Sequence, residues 1–156
     1  MLRRRVFAVI LLLSASVPFA SAKDIAVICN KSSSLSAISL AELIKVSKAE
    51  TNHWPDGKLV TFVMREPGSA DMKIVLDKIY GMSADGVSAL VTSVNHGHVN
   101  RPAIVVVNSD DAVIKKVEST PGAVGVVDVY SITSAVSVLK VGGKLPLEPG
   151  YALHGN

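Results

Sequence analysis

The sequence predicts a single α/β domain whose central sheet is largely parallel and covered by helices on both faces. Three observations carry this. Strand-length runs without a polar interruption, Ile25-Ala26-Val27-Ile28-Cys29 and Ala103 to Val107 among them, need apolar cover on both sides. Between such runs lie segments with helical apolar spacing, each opened by an N-capping serine. Strands and helices therefore alternate, and neither an internal repeat nor a linker interrupts them.

The first element is a leader. Arg3-Arg4-Arg5 is a basic stretch, Val6 to Phe19 is mostly apolar, and Ala20-Ser21-Ala22 is an A-x-A cleavage site. The apolar run is shorter than the about 20 residues that span a bilayer, so residues 1–22 read as a secretory signal peptide and Lys23 as the processed N-terminus. The expected location is the periplasm, with residues 23–156 forming one domain. Three arginines leave with the leader. The chain's 16 Lys+Arg then fall to 13, equal to its 13 Asp+Glu, so the precursor's basic balance says nothing about nucleic acid and no nucleic-acid partner is expected. Cys29 stands alone inside an apolar strand, which marks a buried structural thiol.

Asp24 to Asn30 is the first strand, followed by the polar loop Lys31-Ser32-Ser33-Ser34. Ser39 with Glu42 three residues on is a capping box, opening a short helix that ends near Lys48. Trp54-Pro55-Asp56-Gly57-Lys58 is a turn and Leu59 to Met64 the next strand, joined to the first by an expected right-handed crossover. Ser69 starts a second helix with the stripe Met72, Val75, Leu76 and Ile79, and Ser83 caps a third that reaches Val94. Asn95 to Pro102 is a loop, Ala103 to Val107 a strand, and Ser109 or Asp110 caps a helix ending at Thr120-Pro121-Gly122. Ala123 to Val129 and Val136 to Val141 are the last strands, before a Gly142-Gly143 turn.

The chemistry concentrates at Met64-Arg65-Glu66-Pro67-Gly68-Ser69-Ala70-Asp71. A strand ends there on a guanidinium whose planar fork suits phosphate or sulfate, and a helix begins whose first N–H groups carry partial positive charge. An ordinary capped helix beside a surface arginine is the competing reading. Catalytic constellations are weak. His96 and His98, with His53 or His154, lack a cysteine or carboxylate cluster at ligand spacing and read as solvated loop residues. The serines at 32 to 34 have no G-x-S-x-G elbow, and Asp110-Asp111 fits a helix start. The sequence thus predicts neither an enzyme, a metal site nor a cofactor.

Taken in order, Asn30 at a strand end, Leu40-Ala41-Glu42-Leu43, Trp54-Pro55-Asp56-Gly57-Lys58, Arg65 with Gly68-Ser69, and Thr120 to Gly125 resemble the phosphate-type periplasmic substrate-binding proteins of ABC transporters. The likeness is to short members with a single lobe. It implies an oxyanion ligand, phosphate foremost, bound by Arg65, Ser69 and the backbone N–H groups of Ala70 and Asp71, with donors from Ser32 and Ser33 in the neighbouring loop. Where the family has Ser-Gly-Thr this chain has Ser69-Ala70-Asp71; Ala70 keeps its N–H, whereas the Asp71 carboxylate repels a dianion. The implied partners are a transporter membrane component and a second lobe or homodimer that supplies the missing wall. A single-lobe periplasmic interaction or sensing module, without a transported ligand, is the alternative.

Overall fold

The computed structural model describes residues 23–155; the signal-peptide expectation for 1–22 lies outside the described residues. Strand β1 (Ile25–Cys29) is buried throughout, as its unbroken apolar run requires. A short β2 (Ala37–Ile38) leads into α1 (Leu40–Ser47), where the Ser39/Glu42 capping box is formed in both directions. The Trp54 indole N–H donates to the Gly122 carbonyl at 2.8 Å, fastening the 54–58 turn to the start of a later strand. Next come β3 (Thr61–Arg65) and a composite helix α2 over residues 70–80.

Helix α2 changes pitch along its length: 3₁₀ over Ala70–Met72, α over Lys73–Val75, and π over Leu76–Tyr80. The wide last turn lets both Ile79 and Tyr80 enter the core, and Gly81 closes it in the left-handed region. The Tyr80 hydroxyl donates to the Ser47 carbonyl at 2.8 Å, which locks α2 to α1. Helix α3 (Ala84–Asn95), β4 (Ile104–Val107), α4 (Asp110–Ser119) and β5 (Ala123–Asp128) follow, with Ser83 and Ser109 as the expected caps. Two short strands, β6 (Ser137–Val138) and β7 (Lys140–Val141), complete the pairing.

The main sheet has the order β4-β3-β5-β1-β6. Strands β4, β3 and β5 are parallel, β1 runs antiparallel to β5, and β6 runs antiparallel to β1. Four of the five strands therefore share one direction, and the sheet is largely parallel as read from the sequence. The expected crossover from the first strand into Leu59–Met64 does not form. Strand β1 runs antiparallel to β5, which is parallel to β3, so β1 and β3 point in opposite directions and no parallel crossover joins them. The expected strand at Val136 to Val141 divides at buried Leu139: its first half extends the main sheet, and its second pairs with β2 in a separate two-stranded sheet.

Alternate residues of the strands serve opposite faces. Val27, Cys29, Phe62, Met64 and Val126 pack beneath α1, α2 and α3 through Leu43, Val46, Val75 and Val87. Ala26, Ile28, Val63 and Val127 pack under α4 through Val113, Ile114 and Val117. Cys29 is buried, and desolvation pushes its thiol upward, away from the reactive thiolate. Among the described residues no helix is long and apolar enough to cross a membrane.

Candidate functional site

The strand–helix junction singled out in the sequence is built by two short backbone ties. The Glu66 N–H donates to the Val107 carbonyl at 3.0 Å and extends the β3–β4 ladder past Arg65. The Ser69 N–H returns to the Glu66 carbonyl at 3.0 Å, closing the turn around Pro67-Gly68. Helix α2 then starts at Ala70. Because β3, β4 and β5 are parallel, their C-terminal ends meet at one pole, which gathers Arg65, Asp110 at the start of α4, and Asp128 at the end of β5.

Two carboxylates hold the guanidinium. Arg65 Nη1 donates to Asp71 Oδ2 and lies 3.8 Å from Asp110 Oδ1. The two acids differ in freedom. The Asp71 side chain is 49% exposed, whereas that of Asp110 is 14% exposed and its second oxygen accepts from the Ser131 hydroxyl at 2.7 Å and the Asp128 N–H at 3.1 Å. Asp71 can turn into water; Asp110 is fixed. Lys23 Nζ sits 3.2 Å from Asp128, whose hydrogen bond and then charge hold the ammonium above its ordinary value. Arg65 and Lys23 thus face Asp71, Asp110 and Asp128, so these two cations are already paired when an anion arrives.

Two polar atoms at the junction are buried without a protein partner, Arg65 Nε and Ser69 Oγ. Ser69 stands at the N-cap of α2 in extended conformation, yet its hydroxyl makes no capping bond. Ala70 and Asp71 open the helix, where amides have no intrahelical acceptor. A cleft of about 290 Å³ lies beside them, with Lys23, Lys73 and His154 among its lining residues. Behind Arg65 a void of about 10 Å³ shares Asp71 and Asp128 with that cleft. His154 in the lining has its Nδ1 2.6 Å from the buried Asp24 carboxylate.

The structure brings Arg65, Ser69, Ala70 and Asp71 together and leaves Ser32 and Ser33 apart from them. Cys29 pairs with Val124 and Ile25 with Asp128, so the C-terminal end of β1, and the serine loop after it, lies at the pole opposite Arg65. There Ser32 donates through its N–H and hydroxyl to Asn30 Oδ1, at 2.9 and 2.7 Å. Ser33 Oγ accepts the Leu35 N–H. The expectation that this loop supplies anion donors required β1 to run with the other strands, and it runs against them. Sequence reasoning read Asp110 only as a helix-start residue and Lys23 only as the processed N-terminus, not as members of this pole. One signal for Asp110 was present: the first residue of a helix following a strand parallel to β3 shares its C-terminal pole.

No protein-family model and no curated protein sequence matches the chain. Solved structures do match. One is an ABC-type phosphate transport receptor from Vibrio cholerae, with TM-score 0.67 and 17% identity, covering 86% of this chain and 54% of that one. A second, from Clostridium perfringens, is described as a phosphate ABC transporter substrate-binding protein with bound phosphate; it has TM-score 0.64 and 22% identity, covering 86% and 53%. PstS from Borrelia burgdorferi matches with TM-score 0.65 and 17% identity, covering 86% and 55%. The chain spans about half the length of these structures. At such identity the likeness establishes the fold: the described residues are built as a single lobe of the phosphate-type substrate-binding proteins.

Proposed function

We propose that this chain is a lobe of an exported oxyanion-binding protein, with phosphate as its foremost ligand, and that it serves as the solute-binding component of an ABC transporter in the periplasm. The observation that carries the reading is the junction of Arg65 and Ser69 at the C-terminal pole of the parallel strands, where buried Nε and Oγ atoms have no protein partner. Ligands of open α/β sheets bind outside that end of the strands. The similarity in fold to phosphate-binding proteins points the same way. In this reading Asp71 occupies Arg65 until an oxyanion displaces it, and the Ala70 and Asp71 N–H groups take up the ligand's oxygens. The cleft is open to water, so tight binding requires a second lobe, a homodimer or another partner to cover it. Neither catalysis nor a cofactor enters this proposal.

Calorimetric titration with phosphate and sulfate tests it. A charge-assisted bond contributes about 1.5–3 kcal/mol, so Arg65→Ala should weaken a real site at least tenfold. A second reading, a periplasmic interaction or sensing module without a transported ligand, draws on the two carboxylates that already pair with Arg65 through Nη1. Absence of saturable oxyanion binding in wild type, Arg65→Ala and Asp71→Thr alike would transfer the assignment to that module.

A further inference from the structure

We propose that the cleft at the opposite pole is a second ligand site, for a small molecule that joins one carboxylate to an apolar body. The cleft measures about 530 Å³. That is within the range of about 300–1,000 Å³ typical of small-molecule sites. Its apolar wall includes Val46 from the end of α1, Val60 at the entry to β3 and Val94 from the last turn of α3. Val46 and Val60 belong to the core, so the wall is the edge of the packed interior rather than a loose surface fold.

Among the described residues the lining's one permanent charge is that of Arg101, beside the neutral polar Thr51 and Asn52. His53, His98 and Arg101 line the cleft, and no aspartate or glutamate does so among the described residues. Arg101 makes no salt bridge among the described residues, in contrast to Arg65, and its guanidinium carries a permanent charge with a fork that matches a carboxylate. The loop that presents it is anchored. The His98 N–H donates to the Asn95 carbonyl at 2.9 Å and the Arg101 N–H to the His98 carbonyl at 3.3 Å, while the Asn95 side chain pairs with both backbone groups of Ile104, at 2.7 and 3.2 Å. Ala49, also in the lining, has φ 57°, a conformation that glycine adopts without steric cost. A strained backbone thus carries a methyl group at the cleft, where glycine would relieve the strain and leave less apolar surface.

An apolar wall with an unpaired arginine and two imidazoles at its rim favours an amphiphilic monocarboxylate over a neutral or cationic analogue of the same shape. This assignment is independent of the oxyanion site, because β3 separates the two poles. The test is a titration of isotope-labelled protein with octanoate, octanol and octylamine, followed through backbone amide shifts. Octanoate should move amides in residues 46–60 and 94–103 saturably, octanol should bind about tenfold more weakly, and octylamine should not saturate. Arg101→Ala should weaken octanoate about tenfold with an unchanged thermal midpoint, since the side chain is exposed. The proposal is overturned if octanoate fails to saturate by roughly 10 mM, a limit of weak affinity. It also falls if octanol binds as tightly as octanoate, if Arg101→Ala has no effect, or if the shifts fall only at the Arg65 pole.

Discussion

Replacing Asp71 by threonine should make the Arg65 pole a better oxyanion site, and the structure sets the size of the gain. Asp71 is half-exposed and paired with Arg65 in water's reach, so its competition for the guanidinium is that of a surface ion pair, about 0.2–1 kcal/mol. Its charge also repels an arriving anion. At about 4 Å and an effective dielectric of about 20 two like charges cost roughly 4 kcal/mol, a ceiling that exposure and salt reduce to about 1 kcal/mol. Together these give roughly 1–2 kcal/mol, a five- to thirtyfold tightening of phosphate binding. Little stability should be lost, because Asp110 still faces Arg65 at 3.8 Å. Calorimetry at low and at high ionic strength checks both parts, and the gain should shrink as salt rises. If Asp71→Thr binds phosphate no more tightly than wild type while Arg65→Ala abolishes binding, Asp71 is not the competitor and the electrostatic reasoning fails.

Asn30→Ala should destabilise the domain by about 2–4 kcal/mol in urea unfolding, since the side chain donates to the Val117 and Glu118 carbonyls at 2.9 and 2.8 Å and caps the serine loop; a loss under 1 kcal/mol would contradict that role. Gly125→Ala should cost about 1–3 kcal/mol by the same measurement, because a Cβ there would lie 2.9 Å from methyl groups of both Val113 and Val117 under α4. Burial raises the Tyr80 hydroxyl pKa above its ordinary value of 10.0, so this group's contribution is fully present below pH 10 and is lost as the pH rises further. Tyr80→Phe should accordingly flatten the alkaline limb of a stability–pH profile, and an unchanged limb would assign it to other groups.

Local chemistry was legible at the three helix starts whose serine caps an N–H three residues on. The Ser39/Glu42 box, the Ser83 and Ser109 caps and the alternation of β1 with the helices around it are all visible in the sequence, because each depends on neighbours three or four residues away or on a two-residue period. The change of pitch in α2 was not visible, since it answers to what Ile79 and Tyr80 meet in the core. Ser32 and Ser33 looked suitable as anion donors from composition and loop position, yet their hydroxyls are committed to local bonds at the far pole.

The sequence by itself determined the four long strands and the four helices, the two-sided burial of β1, and the coincidence of Arg65 and Ser69 at one strand–helix junction. Only the tertiary structure decided strand direction and, through it, which loops share a pole. Reversing β1 against β5 sends the serine loop to one end of the sheet and leaves Arg65 with Asp71, Asp110, Asp128 and Lys23 at the other. The physical reason is that a buried apolar strand satisfies its backbone and covers both faces equally well in either direction. Nothing within residues 25–29 distinguishes the two; the pairing edges offered by β5 and β6, about 100 residues further along the chain, do.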